Sequence, residues 1–567
     1  MNSKITAAGL KPGLRNSALL VALACATLGC ATDPKTGKPS FKETFASDDP
    51  CANNARNIGI AGGALVGALI GNKVLGDNKK GTLMGAAAGS LIGGLIGHSI
   101  DSRRCEIARL SQEYGMQVLI AEIKPQPAPG DAPSSTGAVA VAAPPADGLS
   151  INVRDSNNQF ASDSARVVPR AAEYFSKVGA QYAFAVQAAR LAQKGTGATA
   201  AEQADVAQLK SRRILLVGHS DDTGSSSHNA ELSERRALAV GELFKAAGVA
   251  DAQIFYQGAG ETMPAADNRD EAGRAQNRRV EIVDLTDEAA FRRYLEARTP
   301  TLAYYRPATA SAPPALAGGT ASAAAAAPPA KPKSVAAVKP AVKPAVNLVK
   351  SAAQATAPAA SMASNSPPAA TPGGAYDFGG TPSGGGGSGR SATLAIGAVP
   401  AEKGGFSLVS TANAAGANVP GSCADDRPRI AGGVKSLRDQ KEVSFTKMMP
   451  GLFGSTWSDT INGHLVVVSQ VAVFRDGGQP ASRPEVLVYR DFKGNRDAKA
   501  SFRAHGDVNT YRGEKAMLYR VFVEGPVSCL DIVFPYVYSG QAMDSQLLYA
   551  KQATLYEAGF RPQSTAR

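Results

Sequence analysis

The sequence predicts a multidomain protein: a glycine-striped helical hairpin, then an α/β sandwich in the middle, then a mostly β domain with a C-terminal helix. Three observations carry this. Glycine recurs at every fourth position in two apolar runs within residues 58–99. Strand-like and helix-like patterns alternate through residues 148–298. Runs of β-branched and aromatic residues, broken by Gly, Asp and Asn, fill residues 420–567. A chain of 567 residues has room for several domains, and 59 Gly and 35 Pro with only 6% aromatics point to folded modules separated by low-complexity stretches.

Residues 1–29 read as an export signal. Lys4, Lys11 and Arg15 supply a positive start, residues 18–28 a short apolar stretch, and Gly29 a small residue before Cys30. Thr27-Leu28-Gly29-Cys30 resembles the lipobox of bacterial lipoproteins, with Thr27 standing where that family prefers Leu. The resemblance implies lipidation of Cys30. With Ala31 rather than Asp following, it implies anchoring at the periplasmic face of the outer membrane. A formal charge of +12 suits an anionic membrane, polymer or nucleic acid. The export signal sets nucleic acid aside.

Of the six cysteines, Cys25 falls in the signal and Cys30 is the lipid site. Cys51, Cys105, Cys423 and Cys529 remain, an even number in an oxidising compartment, and are disulfide candidates. No Cys-x-x-Cys or Cys/His cluster is present, so neither a metal site nor a cofactor is expected.

Residues 30–57 read as a polar tether. In residues 58–99, Gly59, Gly63, Gly67 and Gly71 are followed, after a polar break, by Gly81, Gly85, Gly89, Gly93 and Gly97. A spacing of four aligns the glycines on one helical face and lets two backbones approach closely. Each run spans roughly 27 Å of helix, near the ~30 Å of a bilayer core. The hairpin is expected either in a membrane or packed against protein. These runs resemble the glycine-zipper segments of bacterial envelope proteins. The turn falls near Gly76, with Cys51 and Cys105 almost equally far on either side. Antiparallel arms would therefore bring the two cysteines together. Cys423, at the start of the last domain, and Cys529, on a late strand, form a second expected pair.

Residues 124–147 and 300–405 are rich in Pro and Ala and read as linkers that cannot bury a core. Lys331-Pro332, Lys339-Pro340 and Lys343-Pro344 in the second resemble the Lys-Pro spacers of periplasm-crossing proteins. In residues 420–567, strands are expected at 465–474, 485–489, 516–523 and 530–538, and a helix at 543–558.

In the middle domain, strands are expected at 149–153, 213–218, 253–257 and 279–285, with helices at 165–191 and 231–247. Within it stands Gly218-His219-Ser220-Asp221-Asp222-Thr223-Gly224. Then follow Asn229, Leu232-Ser233-Glu234-Arg235-Arg236-Ala237, Gly258-Ala259-Gly260-Glu261, and Gly273 through Ile282. This ordered set closely resembles the OmpA C-terminal family, which includes peptidoglycan-associated lipoproteins. The resemblance implies binding of the diaminopimelate end of a peptidoglycan stem peptide, with the ligand-binding Asp and Arg falling on Asp221 and Arg236. Such a ligand presents an ammonium and a carboxylate on one carbon. A carboxylate pairs with the first, and a guanidinium grips the second through two parallel hydrogen bonds. Thr223 and Asn229 add neutral hydrogen bonds. Ser220 replaces the family's usual Thr, and Ala161 follows Phe160 where the family carries an acid.

Adjacent His219, Ser220 and Asp221 cannot form a catalytic triad unaided, and the other histidines are isolated in sequence. The expectation is therefore not an enzyme but an outer-membrane lipoprotein that binds peptidoglycan non-covalently. The alternative is a scaffold component of an envelope secretion or pilus machine, whose C-terminal β domain binds a protein partner.

Overall fold

A computed structural model describes residues 49–53, 55, 79–124, 146–154, 159–161, 163–298, 304, 376–383, 396, 421–443, 448–475, 480–495, 497–552 and 554–565, with side chains of the first helix from residue 94. Cys30, the first glycine run and most of the long linker lie outside these residues.

Helix α1 (Lys79–Glu113) carries the second glycine run. It does not end near residue 99 as expected. Beyond Gly97 the small residues give way to Ile100, Ile107 and Leu110, whose helical spacing makes a buried apolar stripe. One rod thus passes from zipper into the core of the next domain. Cys51 is disulfide-bonded to Cys105 on this helix, with Cα atoms 4.4 Å apart. Arg104 donates to the carbonyls of Pro50 and Ala52 at 3.0 and 2.6 Å. The end of the expected tether is therefore fastened to α1. Among the described residues no helix is long and apolar enough to cross a membrane.

The middle domain is a mixed sheet with helices on both faces. Its strands are β1 (Val118–Ile123), β2 (Gly148–Arg154), β3 (Arg213–His219), β4 (Ile254–Gly260) and β5 (Arg279–Leu285). A short strand from the last domain, β7 (Lys435–Ser436), completes the order β1-β2-β5-β3-β4-β7. Only the β3–β4 pairing is parallel. On β3, Ile214 and Leu216 face α1, α2 (Pro169–Ala180) and α5 (Ser226–Ala246), whereas Leu215 and Val217 face α7 (Glu288–Ala297). Burial on both faces explains why this strand reads as a continuous apolar run.

The single helix expected over 165–191 is two, α2 and α3 (Phe184–Lys194). The break falls at Tyr182 and Ala183, both buried, with Tyr182 stacked on Phe244 at 6.1 Å. Gly179, next to last in α2, is a weak local signal, and tertiary packing sets the break in an otherwise helical sequence. Helices α4 (Ala200–Gln208) and α6 (Glu271–Asn277) complete the domain.

The last domain has two antiparallel sheets. One is β11-β10-β9-β8-β17, from β8 (Ser455–Ile461), β9 (His464–Val471), β10 (Glu485–Tyr489), β11 (Phe502–His505) and β17 (Gln563–Thr565). The other is β12-β13-β14-β15-β16-β6. Its strands are β12 (Asp507–Arg512), β13 (Ala516–Phe522), β14 (Cys529–Pro535), β15 (Ser545–Lys551), β16 (Thr554–Phe560) and β6 (Thr381–Pro382). Val466, Val468, Val486 and Trp457 of the first pack against Tyr519, Leu530, Ile532 and Leu547 of the second.

Two expectations are corrected here. Residues 543–558 form no helix; β15 and β16 make a hairpin, turning at Gln552 with φ +49°. Leu547 and Tyr549 face the inter-sheet core while Leu548 packs behind it on the disulfide Cys423–Cys529. Consecutive apolar residues on a strand covered on both sides imitate helical spacing. The linker also ends earlier than residue 405. Phe378 is buried in the β core, its ring 5.1 Å from that of Tyr549, and Ile396 is buried beside Tyr511 and Leu518.

Candidate functional site

The site is the corner where β3 ends and α5 begins. Gly218 is required there because a Cβ would lie 2.0 Å from the Ser233 carbonyl oxygen of α5. Its absence lets helix and strand pack together. The connecting loop turns at Gly224 with φ +88°, a conformation that side chains disfavour. Ser225 then caps α5 by accepting a hydrogen bond from the His228 backbone amide at 3.3 Å.

Asp221 lies in this loop, largely buried. Its Oδ1 accepts from the Thr223 amide at 3.0 Å and from the Thr223 hydroxyl. Its Oδ2 accepts from Arg278 at 2.8 Å, and Arg278 also donates to Glu271 at 2.7 Å. Burial would raise the Asp221 pKa, but the hydrogen bonds from Thr223 and Arg278 outweigh it and hold the carboxyl below its ordinary range. Asp221 is thus an ionised carboxylate at neutral pH.

Asn229, on the first turn of α5, uses one amide nitrogen to fasten the loop. It donates to the carbonyls of Asp221 and Thr223 at 3.3 and 3.0 Å and to Glu261 at 3.0 Å. Arg236 lies two turns further along the same helical face. Its guanidinium sits 5.0 Å from the Phe160 ring centroid and donates to the Ser164 carbonyl at 3.1 Å. Phe160 and Ser164, on either side of the position where Ala161 departs from the family pattern, therefore orient Arg236.

The structure joins Asp221, Thr223 and Asn229 in one hydrogen-bonded cluster and places Arg236 two turns further along the helix of Asn229, against Phe160 and Ser164. The residue whose role sequence reasoning missed is Arg278. It is the direct ionic partner of Asp221. The signal was present in the Gly273–Ile282 block, but which of Arg274, Arg278 and Arg279 reaches Asp221 depends on how α6 enters β5. His219 is buried, and desolvation together with Arg279 pushes its pKa down to about 3. It is a neutral packed side chain 3.4 Å from Glu281. Among the described residues no group of acids, histidines or cysteines has the arrangement of a metal site.

The geometry is that of an α/β sandwich with an ionised Asp at a strand–helix corner and, on the same helix, an Arg over an aromatic ring. Residues 183–278 match the family model described as OmpA family, and residues 58–104 match the glycine zipper model. The chain thus carries an OmpA-family domain behind a glycine-zipper segment.

Outer-membrane lipoprotein YfiB of Pseudomonas aeruginosa is 45% identical over 71 residues, covering 12% of this chain and 42% of that protein. A peptidoglycan-associated lipoprotein of Legionella pneumophila is 38% identical over 102 residues, covering 18% and 58%. The chain spans about half the length of these relatives. The solved peptidoglycan-associated lipoprotein of Burkholderia pseudomallei is 29% identical, covering 24% of this chain and 88% of that one at a TM-score of 0.17.

Proposed function

We propose that this protein is a lipid-anchored envelope protein that holds the outer membrane to the cell wall by binding peptidoglycan non-covalently. Cys30 is the acylated residue. The OmpA-family domain takes the diaminopimelate end of a stem peptide, its ammonium on Asp221 and its carboxylate on Arg236, with Thr223 and Asn229 shaping the loop. The observation that carries this reading is the ionised Asp221 in the loop that leads into the helix bearing Arg236. Relatives named for peptidoglycan association and for the outer membrane support it.

Loss of one member of a charged ligand pair typically costs ~2–5 kcal/mol. Asp221→Ala and Arg236→Ala should each abolish co-sedimentation with purified sacculi while the circular dichroism spectrum stays unchanged. Wild-type sedimentation of both variants would overturn the site. For the anchor, Cys30→Ala should block signal processing and weaken membrane retention. Unchanged processing would count against Cys30.

A second role, as a scaffold in an envelope machine, is favoured by one observation. Among the described residues the exposed large apolar ones, Phe453, Val537, Tyr538 and Met543, all lie in the β domain. Phe453→Ser with Val537→Ser should leave sacculus binding intact and abolish cross-linking of the β domain to an envelope protein. Unaltered cross-linking would remove this second role.

A further inference from the structure

Two hundred residues of sequence and the long linker separate the wall-binding corner from the start of the β domain, yet the two are joined. Residues 427–437 run along the outer edge of the OmpA-family sheet. The Gly432 amide donates to the Gly258 carbonyl at 2.7 Å, and the Gln257 side chain donates to the Gly432 carbonyl at 2.7 Å. Further along, β7 pairs with β4, Lys435 bonds Glu234 at 2.6 Å, and Val434 and Leu437 are buried in the two cores of that domain. At the head of this clasp the Ile430 amide donates to Ser226, on the first turn of α5, at 2.6 Å.

Arg427 lies nearest the site. Its guanidinium donates to the Asp222 carbonyl at 2.9 Å and stands 3.2 Å from both the Asp222 and Glu261 carboxylates, whose side chains are 5% and 2% exposed. Two carboxylates buried side by side repel each other unless a cation is shared between them. Glu261 in turn accepts from Asn229, the amide that fastens the Asp221 and Thr223 carbonyls. The chain of contacts therefore runs from Arg427 through Glu261 and Asn229 to the loop that carries Asp221.

The root of Arg427 is rigid. Asp426 takes Arg429 at 2.6 Å, Arg520 at 3.0 Å and the Tyr511 hydroxyl at 2.5 Å, all buried, while Asn509 donates to the Arg427 carbonyl at 2.7 Å. Arg520 also grips Asp531 through two bonds, at 2.7 and 2.8 Å, and Cys423 is bonded to Cys529 at the start of the same strand. Such a buried, fully engaged network has few alternative arrangements, so it presents Arg427 in one position.

Resting on the peptidoglycan reading above, we propose that Arg427, supplied by the C-terminal β domain, is a positioning residue of the wall-binding site. It holds the Asp222–Glu261 acid pair, and through Asn229 the Asp221–Thr223 loop, in the binding geometry. The β domain thereby becomes part of the site rather than a separate passenger on a linker.

The charged groups facing Glu261 are Arg427 and Arg429 from the clasp and Asp222 from the site loop, and burial raises the Glu261 pKa against the pull of both arginines. Without Arg427, the ionised Glu261 beside Asp222 should push the loop apart, and protonation of Glu261 in mild acid should relieve that repulsion.

The test uses the full-length protein and purified sacculi, titrated from pH 7.5 to 5.5, with Asp221→Ala as the site control. Arg427→Met should weaken binding by about tenfold at pH 7.5, equivalent to about 1.4 kcal/mol. The deficit should shrink as the pH falls. Arg427→Lys should bind close to wild type, and adding Glu261→Gln to Arg427→Met should restore binding. A merely structural arginine would show neither the pH-dependent recovery nor the rescue by Glu261→Gln. If Asp221→Ala loses binding while Arg427→Met binds like wild type, or loses it with no recovery by acid or by Glu261→Gln, this inference is overturned and the site stands. If Asp221→Ala binds like wild type, the site itself is wrong and the inference goes with it.

Discussion

Arg212 and Asp284 form an ion pair at 2.6 Å with side chains only 1% and 0% exposed, and the same guanidinium donates to Ser99 of α1 at 2.7 Å. Arg103, also on α1, adds Asp205 at 2.8 Å and reaches Asp284 at 3.7 Å. This buried network fastens the end of the zipper helix to the sheet.

Removing one partner of such a pair leaves an uncompensated buried charge and typically costs ~3–5 kcal/mol. Arg212→Leu or Asp284→Leu alone should therefore accelerate hydrogen exchange at β3 and β5 severely. The double replacement, which leaves no orphan from this pair, should be milder than either. If the double variant is as damaged as the sum of the singles, the pair is not coupled as described.

A second prediction concerns Arg278. Its ion pair, with the Thr223 bonds, keeps Asp221 ionised despite burial. A carboxyl held low binds an ammonium above its pKa and releases it as the pH falls through that value. With Arg278→Gln the Asp221 pKa should rise, so sacculus binding should be lost at a higher pH than in the wild type. An unshifted acid limb in the binding profile would show that Arg278 does not tune Asp221.

How much of this was legible depended on whether the cause was local. The strands at 149–153 and 213–218 were, because period and composition follow from burial of each strand. The position of Asp221 just past a strand end and of Arg236 on the helix that follows was, because the motif that carries them by resemblance is nearly continuous in sequence. The break at Tyr182 was not, since it answers to Phe244 more than a turn-forming residue. The β15–β16 hairpin was mistaken for a helix because Leu547, Leu548 and Tyr549 are all buried, on opposite faces. The clasp at 427–437 was invisible for a further reason. It owes its place to partners such as Glu261, Gly258 and Ser226 in another domain, and its strand, Lys435–Ser436, is too short to show a period.

The disulfide Cys51–Cys105 closes a loop with a sequence separation of 54. In the chain-entropy view a loop of that size stabilises by roughly 4 kcal/mol. Paired Cys51→Ser and Cys105→Ser should loosen residues 49–55 from α1, read as increased protease cleavage there, while sacculus binding persists because the corner at Asp221 is elsewhere in the domain. Unchanged cleavage would mean that Arg104, through Pro50 and Ala52, holds the segment unaided.

The last prediction is a pH dependence of stability from His219. Burial and the neighbouring Arg279 lower its folded pKa to about 3, against an ordinary value near 6.5. Between those values the unfolded chain binds a proton that the folded chain refuses, so stability falls as the pH is lowered through that window and is fully present above about 6.5. The slope from one such group approaches about 1.4 kcal/mol per pH unit. Glu281, 3.4 Å away, opposes this by favouring the imidazolium, but burial together with Arg279 and Arg298 outweighs it. His219→Gln keeps a polar group of similar size and removes the titration. Its stability should therefore be nearly flat from pH 6.5 to 4.5 in the component that unfolds with β3, where the wild type declines. Parallel declines in wild type and variant would mean that His219 is protonated in the folded protein and that the acid sensitivity originates in other groups.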